Sequence, residues 1–206
     1  MDRGALGDLQ IASTVISPTF CGMTPALGSN LVVNGGAELN PGAADAASTG
    51  RVACWDVTGS FGGVAYGATG FPPAFSESGI NFFAGGPGSE SSTAIQTIEV
   101  SNLASAIDAG TVSAALNARL GGKGTQPDNM TVSVTFKSAA SGVLGSTLTI
   151  GPATPGQRSN TTQLLAASAT TPVPPQTRFI VVTMTATRAA DTYNDGYADS
   201  ISLILN

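Results

Sequence analysis

The chain of 206 residues carries 8 basic and 13 acidic side chains, no histidine, and only 10% charged residues. Few cations and no basic cluster exclude nucleic acid as a partner, because phosphates demand concentrated positive charge. The missing histidine removes the usual general base, zinc ligand and serine-triad partner, while 42% apolar residues suffice for a buried core.

Residues 1–29 hold scattered apolar positions (Leu6, Leu9, Ile11, Val15, Ile16, Phe20) that are too sparse to build a core. They read as an extended N-terminal docking arm, lying on this domain or on a neighbour. The segment has neither the basic n-region nor the continuous apolar h-region of a signal peptide. No stretch reaches the roughly 18 apolar residues that span a bilayer. A Met start without an export signal points to a virion protein or a mature secreted fragment.

Alternating apolar and β-branched runs then recur between Gly, Pro, Asn and Asp turns. They predict strands near Asn30–Val33, Arg51–Thr58, Gly79–Ala84, Thr93–Val100, Val112–Leu120, Met130–Lys137, Ser146–Ile150, Thr161–Ala167, Arg178–Arg188 and Ala198–Leu205. Arg178–Arg188 is apolar enough for a central strand buried on both faces. Gly62–Ser78, with its FPPAF run, reads as a long exposed loop. A short helix is expected at Asn102–Asp108, capped by Asn102 and ended by Gly110. The pattern predicts an all-β, two-sheet antiparallel jelly-roll sandwich over residues 30–206. Cys21 and Cys54 form either one disulfide or two buried thiols, and the sequence leaves both open.

Three stretches in order resemble the carbohydrate-binding-module-like jelly rolls of galactose-binding-domain type. Asn30-Leu-Val-Val-Asn-Gly-Gly-Ala-Glu38 resembles their first strand, Asn81–Gly88 with Ala94–Ile98 their middle strands, and Asp191–Leu203 their closing strand. The resemblance implies a structural Ca²⁺ joining the first and last strands, held by Glu38 and Asp199 with carbonyls near Asn34–Gly36. The residues themselves also suggest calcium. Asp191, Asp195 and Asp199 recur every four positions around Gly196, and hard oxygens of this kind are what Ca²⁺ takes. The candidate metal set is therefore Glu38, Asp199, Asp195 and Asn34. The bland counterpart is a tight turn at Asn194-Asp195-Gly196, with Arg188 pairing Asp191.

Glycan binding needs aromatic faces and hydroxyl-reading polar groups. The candidates are Tyr66, Phe71 and Phe75 on the exposed loop, Tyr193 on the closing loop, and Asp128 with Asn129 in the GGKGTQPDN turn. Trp55 reads as core. The leading expectation is a non-catalytic structural or recognition subunit of a larger surface assembly, of virion decoration or tail type. It would dock onto other protein subunits through residues 1–29 and recognise glycans through exposed loops. The competing expectation is a secreted, Ca²⁺-stabilised carbohydrate-binding module. A glycoside hydrolase has little support beyond the presence of acids, since no paired carboxylates mark one strand. The first two readings place the protein on a virion or at an extracellular surface.

Overall fold

The computed structural model of the protein describes residues 21–206. Its strands, in chain order, are β1 (Asp56–Thr58), β2 (Gly62–Ala65), β3 (Asn81–Pro87), β4 (Ser91–Glu99), β5 (Ser113–Gly122), β6 (Asn129–Lys137), β7 (Val143–Ile150), β8 (Gln163–Pro172), β9 (Phe179–Thr187) and β10 (Tyr193–Leu205). One short helix, α1 (Ala104–Asp108), separates β4 from β5. The strands form two five-stranded sheets, ordered β1-β4-β9-β6-β7 and β2-β3-β10-β5-β8. All their pairings are antiparallel. The expected all-β sandwich is what these residues build.

Period-two alternation explains the core. β6 buries Met130, Val132, Val134 and Phe136, and β9 buries Ile180, Val182 and Met184 beside them. Across the sandwich, β5 turns Leu116 and Leu120 inward, and β10 turns Ile201, Leu203 and Leu205. Each such side chain contributes about 1.5–3 kcal/mol relative to exposure. β9 is central, but only one of its faces is buried. Its other residues, Val181, Thr183 and Thr185, pair with Thr135, Ser133 and Thr131 of β6, so that face is a half-buried hydroxyl ladder.

Several expected elements are shortened or moved. Asn30–Val33 is not a regular strand; it lies beside the end of β10, where Gly28 N–H donates to Leu205 O at 2.7 Å and Leu31 N–H to Leu203 O at 2.8 Å. β3 pairs only with residues 193–198 of β10, and this segment takes up the place it leaves. Left-handed Asn34 (φ 55) and Ala37 (φ 61) stop it from continuing as a ladder. The expected Arg51–Thr58 shrinks to β1 because Cys54 is also left-handed (φ 71).

Gly62–Ser78 is not all loop. Its first four residues are β2, and a Cβ on Gly62 would run into the Gly50 carbonyl, so glycine here permits close backbone approach. The same correction applies to Asn194-Asp195-Gly196, which is strand and not turn. A Cβ on Gly196 would run into the Asn129 carbonyl. Asn102 does not cap α1: Leu103 sits at the N-cap without a side-chain bond. Asn102 Nδ2 instead donates to Pro25 O at 2.8 Å, while Gly110 (φ 74) ends the helix as expected.

Residues 1–20 of the expected arm lie outside the described residues. Residues 21–29 are fastened to the sandwich by the Gly28 and Asn102 bonds and by a disulfide between Cys21 and Cys54, with Cα atoms 5.7 Å apart. The bridge ends next to Trp55, which is buried as expected. Its Nε1–H donates to Asn34 O at 3.1 Å, and its ring stands edge-on to Phe83.

Candidate functional site

The second sheet turns a face away from the core, and β10 supplies its centre. Tyr193, Asp195, Tyr197 and Asp199 follow one another at every second position, although the register with β3 slips between Asn194 and Tyr197. The two tyrosines join the aromatic cluster on this side, Asp195 accepts from the Tyr197 hydroxyl, and Asp199 accepts from that of Tyr66. Val64, Phe82, Leu164 and the two tyrosines form a small buried cluster there, over which Tyr66, Phe71 and Phe75 pack from the loop after β2. Phe71 meets Tyr193 at 5.5 Å, Phe82 at 5.7 Å and Tyr197 at 5.8 Å between ring centres. Tyr66 lies 4.9 Å from Phe82.

The aromatic residues expected to stack on sugar thus stack on one another. Burying those rings outweighs leaving them in water, which is why the FPPAF loop folds down. Tyr193 is buried and Phe71 is taken up as a lid. Phe75 is half-buried, with the Arg119 guanidinium 4.2 Å above its ring and Glu77 4.0 Å from Arg119.

Beyond this lid the face opens over β10, β5 and β8. Register lays out its rows: Asp199 beside Arg119 and Ala166, then Ser202 beside Asn117 and Ser168. Ala166 and Ser168 are exposed; Arg119, Asn117 and Ser202 are half-buried. The result is a shallow floor of small residues with a guanidinium, an amide and two hydroxyls, walled on one side by Phe75. Sequence reading missed Arg119, Asn117, Ser168 and Ser202. Their signal was the polar half of the alternation in Val112–Leu120 and Ala198–Leu205.

At the edge of this floor the two carboxylates implied by the resemblance come together. Between Asp199 and Ser202 the pairing of β10 with β5 slips by one residue, with Ser200 left-handed (φ 52). Such a bulge re-aims the side chain beside it. Asp199 Oδ2 accepts from the Tyr66 hydroxyl at 2.7 Å, and Oδ1 from Ser200 N–H at 2.6 Å. Glu38 accepts from Ile80 N–H and Asn81 N–H. A Cβ built on Gly36 would lie 3.4 Å from Asp199 Oδ1 and 3.9 Å from Glu38 Oε1, so both acids border one small space. Burial, followed by lesser effects that include the Glu38 charge, pushes the Asp199 carboxyl up to about 7. Burial and the Asp199 charge hold the Tyr66 phenol above its ordinary range.

This donor set fits a hard cation. Two carboxylates face each other, and neither forms an ion pair among the described residues. The Asn34 side chain is not part of it. Its Nδ2 donates to Ala53 O and its Oδ1 accepts from Leu39 N–H, so it pins the turn. The carbonyls of Asn34 and Gly35 are taken by Trp55 Nε1–H and Ile201 N–H.

Asp195 is not part of it either. It sits with Tyr197, Lys123 and Asp128 at the other end of β10's outward row. Asp128, expected to meet a ligand, is fully buried and accepts from the N–H groups of Ala189, Ala190 and Asp195. A buried carboxylate needs such donors, and burial keeps this one away from any ligand at the surface. Asn129 begins β6, with Nδ2 donating to Pro127 O. Arg188 lies 3.8 Å from Glu90, and Asp191 accepts instead from Gln126. Among the described residues, no three His, Cys, Asp or Glu side chains converge as a metal cluster. No helix among them is long and apolar enough to cross a membrane.

No protein-family model and no curated protein sequence matches the chain. Similar solved structures include the enzymatically active domain of bacteriophage CBA120 tailspike protein 4, at 13% identity and TM-score 0.47 over 86% of this chain. The match spans 21% of that tailspike chain. A family 16 carbohydrate-binding module aligns at 17% identity and TM-score 0.48, over 85% of this chain and 99% of its own. A xylan-binding domain from Paenibacillus barcinonensis aligns at 8% identity and TM-score 0.40, over 73% of this chain and 85% of its own. What the chain is similar to is therefore a set of carbohydrate-binding modules and a phage tailspike domain. At these scores the likeness assigns no ligand.

Proposed function

We propose that the protein is a non-catalytic glycan-recognition sandwich that binds carbohydrate on the open floor of its second sheet. The observation that carries this reading is the row Ser202–Asn117–Ser168 beside Arg119 and the Phe75 wall. Hydroxyls, an amide and a guanidinium spaced along a flat floor suit the hydroxyls of a polysaccharide chain, and the small residues leave it room. Glu38 and Asp199 would hold Ca²⁺ at the floor's edge, where the ion's charge offsets two neighbouring carboxylates and locks the first segment to the last strand. Asp199 is sealed beneath Tyr66, which keeps its carboxyl from a chain lying on the floor. In its fuller form the reading makes this sandwich a subunit of a virion or cell-surface assembly, docked on its neighbours through residues 1–29.

Affinity electrophoresis and a glycan array test the floor. Asn117→Ala and Arg119→Ala should each weaken retention by an order of magnitude or more, with the melting temperature little changed. Failure of the unmodified protein to bind any glycan, or retention indifferent to both changes, overturns the reading. Removing residues 1–20, which spares the disulfide, should release the protein from its assembly and leave glycan retention intact.

A further inference from the structure

Among the described residues, three buried side-chain oxygens have no hydrogen-bond partner: Asp195 Oδ2, Gln126 Oε1 and Tyr193 Oη. All three lie at the end of the sandwich where the 123–128 loop meets the start of β10. Asp195 is 2% exposed. Its Oδ1 takes the Tyr197 hydroxyl, whereas Oδ2 has only the Lys123 ammonium 3.9 Å away, beyond hydrogen-bonding reach. The Tyr193 phenol is held above its ordinary range by burial and then by the Asp195 charge. Gln126 donates its Nε2–H to Asp191 and its backbone N–H to Lys123 O at 2.9 Å, which ties it to Asp191 and to the residue whose ammonium faces Asp195.

The other charges nearby are already committed. Arg158 is fully buried, and its guanidinium donates to the carbonyls of Ala153, Gly122, Gly124, Thr161 and Gln126. Asp128 is buried and held by three N–H donors. That leaves the carboxylates of Asp191 and Asp195, with half-exposed Lys123 beside them as a cation that does not close the contact. A trapped water would satisfy the orphaned oxygens but leave the buried carboxylate charge uncompensated. A cation satisfies both.

We propose that Asp195, Asp191 and Gln126 form a second site for a hard divalent cation of the Ca²⁺ type, sharing no ligand with Glu38 and Asp199. Asp191, exposed at the surface, and Lys123 stand at its mouth. Lys123 is the internal competitor: when the ion enters, the ammonium swings out to solvent, and when the ion leaves it falls back towards Asp195. The site joins the 123–128 loop to the segment entering β10. It accounts for the sequence motif around Asp191, Asp195 and Gly196 that the sheet floor leaves unused.

Tyrosine-sensitised Tb³⁺ luminescence, with Ca²⁺ as the displacing ion, tests this, since Tyr193 and Tyr197 flank the site. In the Glu38→Gln protein, which disables the first pair, a Ca²⁺-displaceable signal should persist. Asp195→Asn in that background should weaken it at least tenfold, and Lys123→Met should strengthen it by about as much. If Asp195→Asn does not fold, Gln126→Leu, at a half-buried position, takes its place with the same expected loss. Absence of any signal in Glu38→Gln means that water alone fills the space and overturns the proposal. So does a signal that neither Asp195→Asn nor Gln126→Leu reduces. Loss confined to Glu38→Gln would instead support the first pair alone, so the two readings fail separately.

Discussion

Tyr66 donates its hydroxyl to Asp199 Oδ2 at 2.7 Å across a sequence separation of 133 residues. This bond fixes the loop after β2 against the closing strand and hides a carboxylate that also borders Glu38. It makes the edge of the floor a place where charge is stored under an aromatic cover.

Chelation should therefore be felt as lost stability. An ion held at a hundredfold excess over its dissociation constant contributes about 2.7 kcal/mol, or roughly 5–10 °C in melting temperature for a chain of this size. Scanning calorimetry with and without EGTA should show a drop of that order. In Asp199→Asn the drop should be smaller, with any remainder belonging to the Asp195 site. An unchanged melt in the parent protein removes cation binding at the Glu38–Asp199 pair.

The Cys21–Cys54 bridge closes a loop with a sequence separation of 33. Chain-entropy reasoning gives such a closure about 3–4 kcal/mol, hence a fall of roughly 10 °C on reduction or in the Cys21→Ser, Cys54→Ser double variant. Thermal melts with and without reductant check this. The bridge also implies maturation where thiols can oxidise.

Asp108 receives Arg178 through two bonds, at 2.6 and 3.0 Å, and the Gln176 N–H at 2.7 Å. The Arg178 bonds first, and the Gln176 N–H second, hold its carboxyl below the ordinary 3.8. A depressed carboxyl stabilises the fold above its unfolded value, and that contribution disappears as pH falls through the folded one. Asp108→Asn should lose a few degrees of melting temperature at most at pH 7. It should show a flatter decline than the parent below pH 4. Parallel slopes in the two proteins would contradict the pairing.

Arg158→Met should cost far more, about 3–5 kcal/mol, because it strands the buried carbonyls that the guanidinium now satisfies. Arg158→Lys should recover little, since one ammonium cannot reach five carbonyls in different directions. Urea unfolding of the two variants would decide it. A loss below 1 kcal/mol in Arg158→Met would mean that the loops are held by other contacts.

Where apolar and polar residues alternate, sequence and structure agree closely: Met130–Lys137 is β6 almost residue for residue. The misreadings lie where the alternation is between residue types other than apolar and polar. Tyr193 to Asp199 alternates tyrosine with aspartate, both of which look like loop or ligand residues until a strand puts them on one face. Gly62 and Gly196 look like turn-formers, yet each is there because a neighbouring carbonyl leaves no room for a Cβ. The pairing of Glu38 with Asp199 was legible through family resemblance. The floor residues were not, because Asn117 and Ser168 become a row only through the register of β5 with β8.

Residues 28–35 find their main-chain partners on the last strand, from Ile201 to Leu205. The first of these segments therefore stays unpaired until the last strand of the sandwich has been made. Contacts this distant in sequence close slowly. Premature stops within the final strand would leave both halves of that pairing without a mate.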